Sequence, residues 1–169
     1  MKDYFSTLID IVRHESPRLL KQYLASNPNW TLMEKGLANT TPLIEAVSIE
    51  RIDMVAVICD YVQSKNNSQT FVNYLNQKSS DGKSAILVAT CMNHKPEIIE
   101  YLVSHGASFD LKDNSGKSVF DYAIFSPSED IELFWQNFDP KKYQEIIKLN
   151  IDNNATRQRA GSRGGYSLF

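Results

Sequence analysis

The chain has 169 residues, 42% of them hydrophobic and 22% charged, with a formal charge of −2. That length and apolar content suffice for one domain with a buried core, and the weak negative balance gives no general attraction to nucleic acid. Met1-Lys2-Asp3-Tyr4 lacks the basic start and apolar run of a secretory leader. No stretch reaches the ~20 apolar residues that span a bilayer, so a soluble, cytoplasmic protein with no membrane contact is expected.

The first predicted elements form a helix pair. Tyr4 to Arg13 gathers Leu8, Ile9, Ile11 and Val12 on one face, and Pro17 to Ala25 gathers Leu19, Leu20, Tyr23 and Leu24 on another. Ser16 is a good N-cap, with Pro17 at the first helical position. Next comes Thr41-Pro42-Leu43-Ile44-Glu45-Ala46-Val47, a pattern that returns as Ser84-Ala85-Ile86-Leu87-Val88-Ala89-Thr90 and again as Ser118-Val119-Phe120-Asp121-Tyr122-Ala123-Ile124. Each block opens on a small hydroxyl residue, has an apolar residue two places on and carries alanine five places on. A turn with glycine two residues upstream introduces the second and third, Asp81-Gly82-Lys83 and Ser115-Gly116-Lys117.

The second and third blocks are 34 residues apart and the first and second 43, so about ten residues are inserted after the first. The insertion lengthens the helix that starts at Arg51 and adds a further short helix from Gln69 to Leu75. After the second block, Pro96 opens a helix whose stripe is Ile98, Ile99, Leu102 and Val103, and Gly106 ends it by taking the left-handed conformation. After the third, Ser126-Pro127-Ser128-Glu129-Asp130 starts a helix through Asn137, and no further turn of the same type follows.

A period near ~33 residues with a T-P-L-H-x-A core resembles the ankyrin repeat. The resemblance is strongest over residues 39 to 124. It implies an all-α solenoid of stacked helix-turn-helix units with short projecting turns. The domain then covers 1–149, divided into a degenerate repeat at 3–38, a repeat with insertion at 39–80, a repeat at 81–113 and a cap at 114–149, with 150–169 as a flexible, basic, glycine-containing tail. Stacking gives the block positions physical roles: Ala46, Ala89 and Ala123 allow close packing of inner helices, and Leu43, Ile86 and Phe120 reach into the layer between units. The hydroxyls of Thr41, Ser84 and Ser118 cap their helices.

Chemistry is sparse. His14, His94 and His105 have no ligand or general-base spacing, and the resemblance implies that His94 bonds to turn backbone. Cys59 and Cys91 fall on predicted helices far apart and read as free, buried thiols in a reducing compartment. The chain lacks a nucleophile elbow, a phosphate loop and a Cys-x-x-Cys pair. A non-enzymatic protein with no cofactor, metal or small-molecule substrate is expected.

The resemblance implies a binding surface for another protein on the concave side, made from turn tips and exposed inner-helix positions. The tips are Lys78, Ser80, Asp81 and Lys83, then Lys112, Asn114 and Lys117. The helix positions are Glu45, Ser48 and Ile49, then Val88, Cys91 and Met92, then Tyr122 and Phe125. The apolar ones among them either form an interface rimmed by charge or pack against neighbours within the stack or against the tail. A protein-binding module, monomeric on its own, is the leading expectation; an inhibitor or antitoxin-like regulator that blocks a partner enzyme is the alternative, and an enzyme with an unrecognised site comes third. A stand-alone Asn- and Lys-rich stack also resembles ankyrin proteins that intracellular bacteria deliver into host cells, which implies an effector.

The tail holds Arg157, Arg159 and Arg163 against Asp152, leaving residues 1–151 at −4. Four readings of it stay open: a plain flexible tail, a linear motif or export signal ending in Tyr166-Ser167-Leu168-Phe169, a cover for the stack's own apolar surface, or an RNA-binding arm around Arg163-Gly164-Gly165-Tyr166.

Overall fold

The computed structural model describes residues 4–145 and residue 148; the tail at 150–169 and each reading of it lie outside the described residues. The described helices are α1 (Tyr4–His14), α2 (Pro17–Ser26), α3 (Pro42–Ser48), α4 (Ile52–Lys65), α5 (Ser68–Leu75), α6 (Ala85–Cys91), α7 (Pro96–Ser104), α8 (Val119–Ile124) and α9 (Glu129–Gln136). A short 3-10 turn spans Leu37–Asn39, and residues 140–145 are helical. No strand occurs among the described residues, so the fold is the all-α solenoid that the block pattern predicts.

An inner row α1, α3, α6 and α8 packs helix on helix, and each inner helix turns back into an outer one, α2, α4, α7 or α9. The close approach is set by small residues: Ala46, Ala89 and Ala123 are buried, as are Leu43 and Ile86. Outer helices contribute a matching stripe, with Met54, Val55, Ile58 and Val62 of α4 and Ile98, Ile99, Leu102 and Val103 of α7 all buried. The insertion takes the predicted form. At 14 residues α4 is five longer than α7, and α5 buries Phe71, Tyr74 and Leu75. Asn76, just past α5, accepts from the Ser108 amide at 2.8 Å, so the inserted helix is tied to the unit that follows.

Turn chemistry repeats with the units. Asn39, Gly82 and Gly116 each lie two residues before the hydroxyl residue that opens the block and all are left-handed, at φ 54°, 83° and 78°. Asparagine tolerates this region better than most side chains, which explains the first unit's lack of glycine. Gly82 is needed twice over, because a Cβ there would also collide with the amide and side chain of Asn114. Glu50 and Asn93 are left-handed at the turn into the outer helix. The third unit has Pro127 at that place, and its ring forbids positive φ. Ser126 rebuilds the turn instead, accepting from the Ser128 amide at 3.0 Å and donating to Asn93 Oδ1 at 2.5 Å.

The last described hairpin differs from the one before it. Where α7 presents Ile99 and Val103, both buried against the next unit, α9 carries Glu132 and Gln136, exposed and hydrogen-bonded to each other at 2.8 Å. Beyond α9, Tyr143 stacks on Phe138 with ring centres 4.9 Å apart, closing an aromatic cluster with Phe134 and Trp135.

Three expectations are corrected. Ser84 begins α6, but its buried hydroxyl has no partner and makes no cap bond. Thr41 does accept from the Ile44 amide at 3.1 Å, and Ser118 forms a reciprocal capping box with Asp121. Leu19 is 38% exposed, because Leu20 and Leu24 already fill the α2 stripe. Phe120 is 39% exposed, because among the described residues no further unit stacks on it; its ring rests on Trp135 at 5.3 Å and Phe109 at 6.5 Å.

Truncating the fully buried Leu102 to alanine should cost ~2–5 kcal/mol in urea denaturation, and a loss below about 0.5 kcal/mol would contradict this packing. The two hydroxyls should separate cleanly. Thr41→Ala should lose about 1 kcal/mol, whereas Ser84→Ala should be neutral or stabilising, since it removes a buried polar group that bonds to nothing. Equal losses would contradict the difference in capping.

Candidate protein-binding face

Three projecting turns, or fingers, are built by the same bond. The Gly36 amide donates to Thr40 O at 2.9 Å, Ser79 to Lys83 O at 3.0 Å, and Asp113 to Lys117 O at 3.0 Å. Fingers are then joined to each other at equivalent places: the Ser80 amide donates to Ala38 O at 2.8 Å and the Asn114 amide to Asp81 O at 3.1 Å. Lysines repeat the connection. Lys35 Nζ reaches Lys78 O at 3.0 Å and Lys78 Nζ reaches Lys112 O at 2.7 Å. These three lysines stand six residues before Thr41, Ser84 and Ser118, so the repeated block begins earlier than its hydroxyl. Sequence reading found two fingers and missed the first, because Asn39 replaces the glycine that marks the others.

The predicted tip residues are arranged in pairs. Asp81 is held by Lys83 at 2.5 Å and by the Ser79 hydroxyl, which keep its carboxyl below the usual range. Asn114 donates through Nδ2 to Ser80 O at 2.8 Å. Asp113 is buried and accepts from the Tyr122 hydroxyl at 2.5 Å and from the amides of Ser115 and Lys117 at 2.8 and 2.9 Å. The tyrosine bond, first among these causes, holds its carboxyl below the ordinary range. Lys117 lies over the Tyr122 ring at 5.5 Å, and Lys112 and Lys117 are exposed.

The floor between fingers and inner helices is partly apolar. Ile49, Met92 and Phe125 are the residues that end α3, α6 and α8, and they are 37%, 50% and 84% exposed. A groove of about 520 Å³ lies beside Met92, lined also by Ile44, Glu45, Asp81, Lys83 and Val88 among others. A second hollow of about 530 Å³ continues it toward α1, sharing Thr40 and Glu45 and adding Arg13 and Lys35. Glu45 is half-buried and bound by Arg13 Nε at 2.6 Å.

Two predicted positions differ from the expected exposure. Val88 is only 8% exposed, at the bottom of the 520 Å³ groove that it lines, and Tyr122 is half-buried, its hydroxyl committed to Asp113. His94 does not bond to turn backbone: its Nδ1 faces Glu50 at 4.0 Å and its buried Nε2 has no partner. Cys59 is buried and Cys91 half-buried, and burial pushes both thiols up, away from reactive thiolate. Among the described residues no three His, Cys, Asp or Glu side chains are placed to hold a metal, and no helix is long and apolar enough to cross a membrane.

Stacked helical hairpins with linked fingers and a continuous concave floor define a repeat-type binding scaffold. A family model of three ankyrin repeats matches residues 8–113, and the chain belongs to the ankyrin-repeat family. Ankyrin repeats are generally protein–protein interaction modules, and the family is typically non-enzymatic. A curated sequence of Rickettsia bellii (strain RML369-C) that carries the ankyrin repeat name is 25% identical over 136 residues, which cover 78% of this chain but 18% of that protein. The crystal structure of the ankyrin repeat protein EF0377 superposes with a TM-score of 0.64 at 19% identity, over 79% of this chain and 64% of that one.

The Asp113–Tyr122 pair makes the third finger sensitive to pH. A depressed carboxyl contributes in full above the ordinary range, about pH 4, and loses its contribution as pH falls through its lower native value. The Tyr122 hydroxyl is pushed up to about 12, chiefly by its bond to Asp113, so its share is lost only as pH rises from about 10. The stability gap between wild type and Asp113→Asn in urea should therefore be flat from about pH 5 to 9 and narrow below about pH 4. A gap that stays constant down to about pH 2 would contradict the pairing.

Proposed function

We propose that the chain binds a partner protein across the concave face, with the exposed row Ile49, Met92 and Phe125 as the apolar centre and the fingers as the charged rim. The observation that carries this reading is the position of the row. Three apolar residues stand exposed at the ends of three consecutive inner helices of a scaffold whose fingers are already tied together. Apolar patches rimmed by charge are the expected anatomy of interfaces. A surface fixed before contact loses little conformational freedom on binding, which favours affinity. Lys83, Lys112, Asn114 and Lys117 supply directional polar contacts around the row, with Lys78, Asp81 and Glu45 holding the frame.

A crosslinked pull-down from native lysate tests the reading. Met92→Glu with Phe125→Glu changes two exposed side chains, so the thermal midpoint should move by no more than about 4 °C. Capture of the proteins held by wild type should be lost. An unchanged set of captured proteins, with an unchanged midpoint, would contradict the site.

A further inference from the structure

Charge on the concave face is split between its two edges. The three fingers, residues 35–40, 78–83 and 112–117, hold five lysines against two aspartates; Asp81 is paired with one of these lysines, Lys83, and Asp113 bonds to Tyr122, so four lysines are left without an acidic partner inside the fingers. Lys35 and Lys78 each use a donor on a carbonyl of the next finger, and an ammonium has three. The opposite edge is made by the turns from inner to outer helices, residues 49–53, 92–97 and 125–130. It holds Glu50, Asp53, Glu97, Glu129 and Asp130 against Arg51 and Lys95. The fingers are therefore positive in a chain whose formal charge is −2.

The dimensions of the floor select the shape of an occupant. The inner helices have seven, seven and six residues, so fingers and apolar row are separated by about 10 Å, the diameter of an α-helix with its side chains. Neighbouring units repeat at the packing distance of their helices, roughly 8–10 Å. On a helix, residues i and i+7 are ~10.5 Å apart and share a face. On a strand, residues i and i+3 are ~10 Å apart but point to opposite faces. One apolar contact per unit therefore matches a helix and mismatches a strand.

Resting on the concave reading above, we infer that the partner presents an amphipathic α-helix along the stack, with apolar residues at i, i+7 and i+14 on Ile49, Met92 and Phe125 and an acidic flank toward the lysines of the fingers. Charge complementarity sets the rotation of the helix about its axis. The acidic turns repel the acidic flank and accept basic residues on the other side.

A phage library of random 20-residue peptides, selected against the full chain, tests this directly. The expected winners have a helical apolar repeat with net negative charge. As synthetic peptides they should lose binding to Met92→Glu/Phe125→Glu and weaken about tenfold or more against Lys112→Glu/Lys117→Glu. Peptides that need Met92 and Phe125 but are neutral or basic, or that ignore the lysine reversal, would overturn the acidic helix while leaving the concave site standing. Peptides indifferent to Met92→Glu/Phe125→Glu, or a library that yields no binder, would overturn the site itself.

Discussion

The close approach of α3, α6 and α8 is the constraint on which the molecule depends. Ala46, Ala89 and Ala123 present only a methyl group where these helices meet, so one unit can rest closely on the next. That spacing sets the distance between fingers, and only at that distance do the Ser80 and Asn114 amides reach the carbonyls of Ala38 and Asp81. A hairpin of two short helices cannot bury its apolar face alone, and stacking makes one continuous core from several such faces. The rows on the surface are therefore a by-product of the core: small residues inside place finger tips and helix ends in rows outside.

Much of this was legible in the chain. The thrice-repeated block gave the inner helices, Pro96 and Gly106 bounded an outer one, and the spacing of 43 rather than 34 residues located the inserted helix. What escaped were features without a local signature. The first finger has Asn39 where the others have glycine, and only its backbone angle reveals the equivalence. The lysine at the start of each finger repeats with perfect register, yet the partner of Lys35 and of Lys78 is a carbonyl in the next unit, a contact that no single repeat contains. Ser84 sits in a capping position without capping, since the direction of a hydroxyl depends on its surroundings.

The surface positions divide in the same way. Met92 and Phe125 are exposed as anticipated, while Val88 is buried at the bottom of the groove and Tyr122 is half-buried against Asp113 and Lys117 of the third finger. Period alone does not separate these, because each inner helix offers one face to its neighbours and another to the concave side, and six or seven residues are too few to resolve the boundary. Irregularity marks the last described hairpin. Pro127 excludes the turn used by earlier units, and Glu132 with Gln136 replaces the apolar pair that would receive another repeat.

Native-state hydrogen exchange at the Ser80 and Asn114 amides tests the central claim most directly, because these groups lie in exposed turns and owe their bonds entirely to stacking. Protection comparable to that of the α6 amides is the predicted result. Exchange of both at the rate of an unstructured peptide, while α6 stays protected, would show that fingers are not fixed by the inner helices and would contradict the account.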